Sequence, residues 1–588
     1  YNAKNTGRPF DAANKYTSKY LDIANTPLYP FGYGLSYTKF ELSNLQLDKL
    51  QILPTGNVKV KVDVANMGKR AGEEVVQLYI HDVAASVTRP VKELKGFQKV
   101  ALKAGEKRTL EFTLTPEDLK FYDRDLKPTI ENGEFQIYVG TSSDSGLQTS
   151  FEVVDKISAK PTTAQKIENE PADPAPTAPQ ATAQISKEDE AFLDDLQKKT
   201  FDFFWENSNP KNGLTLDRTG ADGTRKSSTH PSYNIASSAS TGFALSSYCV
   251  GATRGWVSPE QAKERTRNTL DFFANKAFNK NGWFYHWMDY ETGERRWTSE
   301  ISSIDTALLM GGVLTVKQCF ADNKEIVNLA DLIYKRIDFQ WMLNGDPYLL
   351  SHGWRPENGF IANRWRDYSE DKMLYLLAIG SPTHPIPPQA WNAWERTWKE
   401  YGGYRYLAAV SPLFIHQFSH AYVDFRGRRE HRPPYVDYFE NSVKATRAQQ
   451  KFFVEVLSKD FPKYSATIWG LTASDSEKGY IAWGAPPREP AIDGTVVPCA
   501  PAGSLMFAPD ITLPTLKAMK DQYGDRVYKK YGFVDAFNPN GKWTDSDVIG
   551  IDLGITVASI ENLRSGKIWY WFMQNDEIRR GLKRATIF

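Results

Sequence analysis

Glu300 and Asp305 stand in Ser299-Glu300-Ile301-Ser302-Ser303-Ile304-Asp305, and Glu370 in Tyr368-Ser369-Glu370-Asp371, each within a few residues of an aromatic ring. Carboxyl groups bracketed by aromatics suit the cleavage of a glycosidic bond. One acid protonates the leaving oxygen, and in an inverting enzyme a second carboxylate activates water. A glutamate at a helix start between Trp365 and Tyr368 can have its pKa raised by burial, as a general acid needs. The plain alternative is that acids at 370–371 only stabilise a helix N-terminus. Glu370 is therefore the first candidate proton donor, with Glu300 and Asp305 completing the carboxylate set; acid and base cannot be told apart in the sequence. On one continuous helix Glu300 and Asp305 would lie about 140° apart. They share a site only if Glu300 precedes the helix, with Ser302 or Ser303 as its N-cap. Otherwise Asp305 reads as a buried structural acid paired with Arg295 or Arg296.

Sugar faces pack on flat rings and sugar hydroxyls need polar partners. Trp297, Trp365, Trp483 and Tyr368 are the candidate platforms. Asp217, Arg218, Arg366, His384, His416, Gln417, His420, Asp493 and Asp552 are the candidate hydroxyl partners. His416, His420 and Asp424 are spaced i, i+4, i+8, so one helix face would present three metal ligands. No cysteine or further histidine motif completes such a site, and helical histidines also bind sugars or fill cores, so no metal and no cofactor is expected. Asp493-Gly494 is equally a turn. Trp391, Trp394 and Trp398 recur at helical spacing and read as core.

Two kinds of domain must position these residues. All 16 tryptophans of the 588-residue chain fall between Trp205 and Trp571. Before them, Val58, Val60, Val62 and Val64 alternate with polar residues, as do Val76, Leu78 and Ile80, and Phe135, Ile137 and Val139. Short strands at this spacing, with turns at 66–69 and 131–133, predict a β-sandwich over residues 1–154. Residues 155–186 are rich in Pro, Ala and Thr and lack aromatics, the composition of a linker. From Ser186, a predicted N-cap followed by acids, the period becomes helical. Helices are predicted at 236–249, 259–275, 302–318, 324–343, 370–379, 442–458 and 553–573. Long aromatic-bearing loops between them suit an (α/α)-barrel over 187–588, with function on one rim.

Specific motifs carry two resemblances. Asn5-Thr6-Gly7-Arg8-Pro9, Pro27-Leu28-Tyr29-Pro30-Phe31-Gly32-Tyr33-Gly34-Leu35-Ser36-Tyr37 and Arg89-Pro90-Val91-Lys92-Glu93-Leu94-Lys95-Gly96-Phe97 resemble the C-terminal end of family 3 β-glucosidases. That resemblance implies an all-β fibronectin-III-like sandwich in an accessory role, without the family's catalytic barrel and acid/base domain. Gly213-Leu214-Thr215-Leu216-Asp217-Arg218, the 299–308 and 368–370 segments, Ala378 to Pro385, Tyr531 to Asn538, and Ile551-Asp552-Leu553-Gly554 with Ile560-Glu561-Asn562 resemble the glycoamylase-like domain of glycoside hydrolase family 144. This second resemblance implies an all-α (α/α)6 barrel that hydrolyses β-1,2-glucan with inversion and without a cofactor. Asp371 departs from the pattern and leaves open whether it or Glu370 faces the sugar. Exo release of sophorose is slightly favoured over endo cleavage, because a tethered sandwich would wall off one end of a cleft.

The remaining bounds are exclusions. Lys plus Arg is 72 and Asp plus Glu 71, a net charge of +1, so no global field draws the chain to nucleic acid. No apolar run reaches the length of a membrane span. Cys249, Cys319 and Cys499 form no CxxC pair and read as buried apolar residues, with no disulfide expected. The chain opens on Tyr1-Asn2-Ala3-Lys4 without a signal-peptide pattern, as a mature or truncated chain would. A periplasmic or secreted monomer is expected. The competing functions are a non-catalytic glycan-binding protein and a glucan-processing or phosphorylase domain on the same barrel.

Overall fold

The computed structural model describes residues 29–155, apart from 83, 84, 88, 91, 125 and 144, and residues 185–587, apart from 226–233, 433 and 490. The linker reading over 155–186 and the motif at residues 5–9 lie almost wholly or wholly outside the described residues. The chain divides into two compact units, Tyr1–Asp173 and Pro174–Phe588.

The first unit is a β-sandwich. Strands β1 (Phe40–Leu47), β3 (Val58–Asn66) and β6 (Lys107–Leu114) form one sheet in the order β1-β3-β6. Strands β2 (Gln51–Ile52), β4 (Gly72–Asp82), β5 (Glu93–Leu102), β7 (Gly133–Ser142) and β8 (Ser145–Val153) form the other, in the order β2-β8-β7-β4-β5. Val58, Val60, Val62 and Val64 of β3 point inward against Leu110, Phe112 and Leu114 of β6 and the buried face of the second sheet, Val76, Leu78, Ile80, Ile137 and Val139. The period-two alternation is therefore the division between core and solvent.

The second unit is built on helices that are buried on nearly every face. These are α2 (Ser238–Arg254), α4 (Ser303–Cys319), α6 (Lys372–Gly380), α9 (Cys499–Gly503) and α11 (Gly550–Arg564), joined by the single turn α7 (Phe414–Gln417). Half-exposed helices alternate with them: α1 (Lys187–Asn207), α3 (Pro259–Asp271), α5 (Lys324–Lys335), α8 (Tyr438–Glu455) and α10 (Pro509–Tyr523). Around the buried set, α11 packs on α2, α2 on α4, α4 on α6, α7 on α9 and α9 on α11. Lys372 Nζ, donating to the Ile415 carbonyl at 3.0 Å, and Ser419 Oγ, accepting from Met373 N–H at 2.9 Å, join α6 to α7. Close approach of α2 and α4 requires glycine. A Cβ on Gly242 would strike the Leu308 carbonyl, and one on Gly312 would strike the Gly242 carbonyl.

Several expectations need correction. Cys249 of α2 and Cys319 of α4 form a disulfide with Cα atoms 6.2 Å apart. Spacing along the chain could not reveal that two neighbouring helices bring them together. The 324–343 stretch splits into α5 and a short helix Phe339–Leu343 capped by Asp338. The 553–573 stretch breaks at Gly566, whose φ is +67°, before α12 (Lys567–Met573). Trp391 and Trp394 are core as expected, but Trp398 begins a strand, Trp398–Tyr401, and is 40% exposed.

Candidate active site

The N-terminal ends of α4, α6 and α11 carry acids whose charges are linked through Asp305 and Asp217. Ser302 caps α4, its Oγ accepting from Asp305 N–H at 3.2 Å. Glu300 thus stands before the helix and Asp305 in its first turn, the arrangement that lets both acids share a site. His286 joins them, with Nδ1 3.1 Å from Glu300 Oε1 and Nε2 3.4 Å from Asp305 Oδ1. Arg295 and Arg296 pair instead with Glu357 and Asp289, so Asp305 is not their structural partner. Burial alone would lower the His286 pKa, but Asp305 and Glu300 together hold it above the usual histidine range. Burial also opposes ionisation of Glu300, yet its bond from His286 wins and holds its pKa at about 2. Burial, only partly offset by His286, raises Asp305. The two carboxyl groups are therefore driven apart in protonation, a pattern typical of acid–base sites.

Glu370 is half-buried directly before α6, whereas Asp371 is 1% exposed. Of the two acids that the sequence left open, Glu370 is the more exposed. Burial raises the Glu370 pKa against the Ser369 hydroxyl and the Lys372 ammonium, and the Asp305 charge adds to the rise. Its backbone is clamped, since the Ser419 hydroxyl donates to the Glu370 carbonyl and Lys372 Nζ to the Ser369 carbonyl.

A second acidic group surrounds Arg218, which stands 2.6 Å from Asp475, 3.6 Å from Asp217 and 4.0 Å from Asp547. Asp552, in the first turn of α11, accepts from the Cys499 thiol at 3.2 Å. Burial and neighbouring aspartates push Asp545 up to about 7 and Asp552 up to about 6. The Asp217 charge reaches His286, Asp305 and Asp552 alike, so Asp217 bridges the two groups.

Two family models match parts of the chain. The Glycoamylase family model, described as "Putative glucoamylase", matches residues 362–576, and the fibronectin type III-like model matches 74–143. The first match lies wholly within the helical unit. A relative from Parabacteroides distasonis, named exo beta-1,2-glucooligosaccharide sophorohydrolase, is 26% identical over 67% of this chain and 58% of its own length. The solved endo-beta-1,2-glucanase of Chitinophaga pinensis, in complex with sophorotriose and glucose, superposes with a TM-score of 0.62 at 27% identity, covering 69% of this chain and 99% of that one. The fibronectin-III-like unit resembles a different protein, the periplasmic beta-glucosidase of Salmonella typhimurium, at 48% identity over 26% of this chain. The chain spans only 20% of that β-glucosidase and 58% of the sophorohydrolase.

In the helical unit the other sequence candidates divide. Trp297 is 50% exposed with φ at +52°, and packs edge-on at 5.2 Å against Trp287, which stacks on His286 at 3.6 Å. Its ring is the exposed one of this stack, and its left-handed backbone is one that a non-glycine residue adopts at a cost. Trp365 is 8% exposed, donates to Ser303 Oγ at 2.8 Å and stacks on His352 at 4.0 Å. Arg366 is exposed.

Several candidates are corrected. Trp483 is buried with its indole on Ser474 Oγ, and Tyr368 is buried with its hydroxyl 3.0 Å from His416 Nδ1, so neither offers a ring face to a sugar. Gln417 donates to the Ala500 carbonyl and Ser504 Oγ, and His420 lies against Ser442, both fully buried as packing residues. Burial holds His416 and His420 well below the usual histidine range. No three-ligand helix face forms, because α7 ends at Gln417, a tighter turn follows, and Asp424 pairs with Arg426. Asp493 accepts from Thr495 N–H at 3.1 Å, which is the turn reading. His384 follows the C-terminal end of α6, a helix about 13 Å long whose other end carries Glu370.

Sequence reasoning passed over His286, Asp475, Asp535, Asp545 and Asp547. Asp535 lay inside the motif from Tyr531 to Asn538. Asp475, Asp545 and Asp547 carried no local signal beyond acidity.

Proposed function

We propose that the helical unit hydrolyses β-1,2-linked glucan or its oligosaccharides with inversion, releasing sophorose from chain ends. The observation that carries the reading is the half-buried Glu370, clamped at the start of α6 with its pKa raised, facing the cleft that also holds the ionised Glu300 and the His286-bound Asp305. A carboxyl kept protonated is a proton donor, and an ionised partner can activate water. The named activities of the Parabacteroides and Chitinophaga relatives support the linkage, and the exo mode rests on the first of them. The unbroken neighbour order of alternating buried and half-exposed helices supports an (α/α)6 barrel with Trp297, Trp365, Asp217, Arg218, Arg366 and Asp552 as its sugar contacts. The organisation we assign is a fibronectin-III-like sandwich over 1–154, a linker over 155–186 and the barrel over 187–588.

A disulfide between Cys249 and Cys319 favours an oxidising compartment, and we place the chain in the periplasm or outside the cell. Among the described residues no helix is long and apolar enough to cross a membrane. The test is incubation with β-1,2-, β-1,3- and β-1,4-glucooligosaccharides of defined length, with and without phosphate. Sophorose from the β-1,2 series alone, independent of phosphate, is the expected result. Glucose 1-phosphate-type products would instead mean phosphorolysis, and no products at all would mean a glycan-binding protein.

A further inference from the structure

Asp475, Asp535 and Asp545 form a second acidic group around Arg218, and they come together in an unusual way. One carboxylate oxygen from each lies within 4.8 Å of the other two. Oxygens bound to a single calcium ion at about 2.3–2.6 Å can be no more than about 5 Å apart, so the spacing is that of one cation's ligand shell. Each acid also has one oxygen held by the protein. Arg218 donates to Asp475 Oδ2 at 2.6 Å, Asp475 N–H to Asp535 Oδ2 at 2.8 Å, and Asp547 N–H to Asp545 Oδ1 at 3.1 Å.

The second observation concerns the oxygens left over. Asp545 Oδ2 is buried and receives no hydrogen bond from any described donor, on a residue only 8% exposed, while Asp535, 3% exposed, meets the Asp552 carboxyl in a hydrogen bond. A buried carboxylate oxygen without a donor is costly, and several near one another repel. Asp217, Asp547 and Asp552 add to the negative charge, and the single guanidinium of Arg218 cannot balance six acids. A bound cation supplies both the missing charge and the missing partners.

We propose that Asp475, Asp535 and Asp545 bind a hard divalent cation, calcium foremost. The ligands come from the loop after strand Ala473–Ser474 and from the hairpin running from Gly532–Phe533 to Asp547–Ile549. The cation pins these two segments together beside Arg218. The site adjoins Asp217, Arg218 and Asp552, which the proposed function counts among the sugar contacts, and its test uses no glucan.

The full chain, stripped with EDTA, is titrated at pH 7.5 with calcium chloride and, separately, magnesium chloride while thermal unfolding is followed. Calcium at saturation raises Tm by at least about 2 °C, and the rise disappears in Asp545→Asn, whose amide oxygen still accepts from Asp547 N–H. Terbium binds the wild-type chain with a luminescence that calcium displaces. This second readout serves if Asp545→Asn does not fold, with Asp475→Asn as the alternative variant. The proposal is overturned by a wild-type Tm indifferent to both metals together with no displaceable terbium, which would mean protons neutralise the cluster. It is equally overturned if Asp545→Asn responds as the wild type does, which would place the cation elsewhere.

Discussion

Glu300, His286 and Asp305 are three side chains whose charges depend on one another, and the Asp305 charge reaches Glu370. Glu370→Gln leaves the shape of the cleft but removes the donor, and hydrolysis should fall by about 10²–10⁴-fold, measured as kcat on a β-1,2-glucooligosaccharide. The pH profile follows from the shifts. The active form of Glu370 is protonated, so activity is present below its pKa and lost as pH rises through it. Burial, with Asp305 adding and Ser369 and Lys372 opposing, places that basic limb above the ordinary glutamate value of 4.5. Glu300 acts ionised, so its limb lies at the acid end, near its pKa of about 2. His286→Asn removes the cation that keeps Glu300 ionised, so the acid limb should move up by about one pH unit or more while the basic limb stays. An unchanged acid limb in that variant would mean that Glu300 does not titrate in the reaction. At this scale the sequence was partly legible. The bracketing of Glu300, Asp305 and Glu370 by aromatics was local and readable. That Asp371 points inward, that Tyr368 and Trp483 are sealed, and that His286 lies between two acids depend on contacts across the fold.

The elements hold these groups through their helix starts. Ser302→Ala removes the cap of α4 and the hydroxyl that bonds Asp305, and should cost about 1 kcal/mol of stability, read as a lowered Tm. Gly242→Ala puts a methyl group against the Leu308 carbonyl and should be more damaging, because two buried helix backbones must separate. The disulfide closes a separation of 70 residues between the same two helices. Its reduction should lower Tm, by about 4 kcal/mol of stability in the chain-entropy estimate. Helix positions were largely legible because fully apolar stretches of suitable length leave few alternatives. The splits at Gly566 and Asp338 were not, since a glycine or an aspartate inside a periodic stretch is often tolerated. Strand Trp398–Tyr401 was missed because three tryptophans at helical spacing imitate a helix face.

Across the whole molecule the division into two units was legible from the tryptophan skew and the change of hydrophobic period. Each unit buries its own core, Leu47 to Val153 in one and Leu193 to Ile587 in the other. A chain cut to residues 185–588 should therefore fold, and should give the same products from short oligosaccharides as the whole chain. Loss of folding in that fragment would mean that the sandwich supports the helical unit directly. Asp217, Arg218 and Asp552 were legible as single candidates, but their grouping with Asp475, Asp535 and Asp545 was not, because these residues meet only in the closed fold.

The central claim, inverting hydrolysis of β-1,2-glucan with Glu370 as donor, is tested most directly by anomer-resolved NMR of the fresh product. Wild-type chain acting on a defined β-1,2-glucooligosaccharide should first release α-anomeric sophorose, and Glu370→Gln should release almost none. β-anomeric sophorose at the earliest times, or undiminished release by Glu370→Gln, would contradict it.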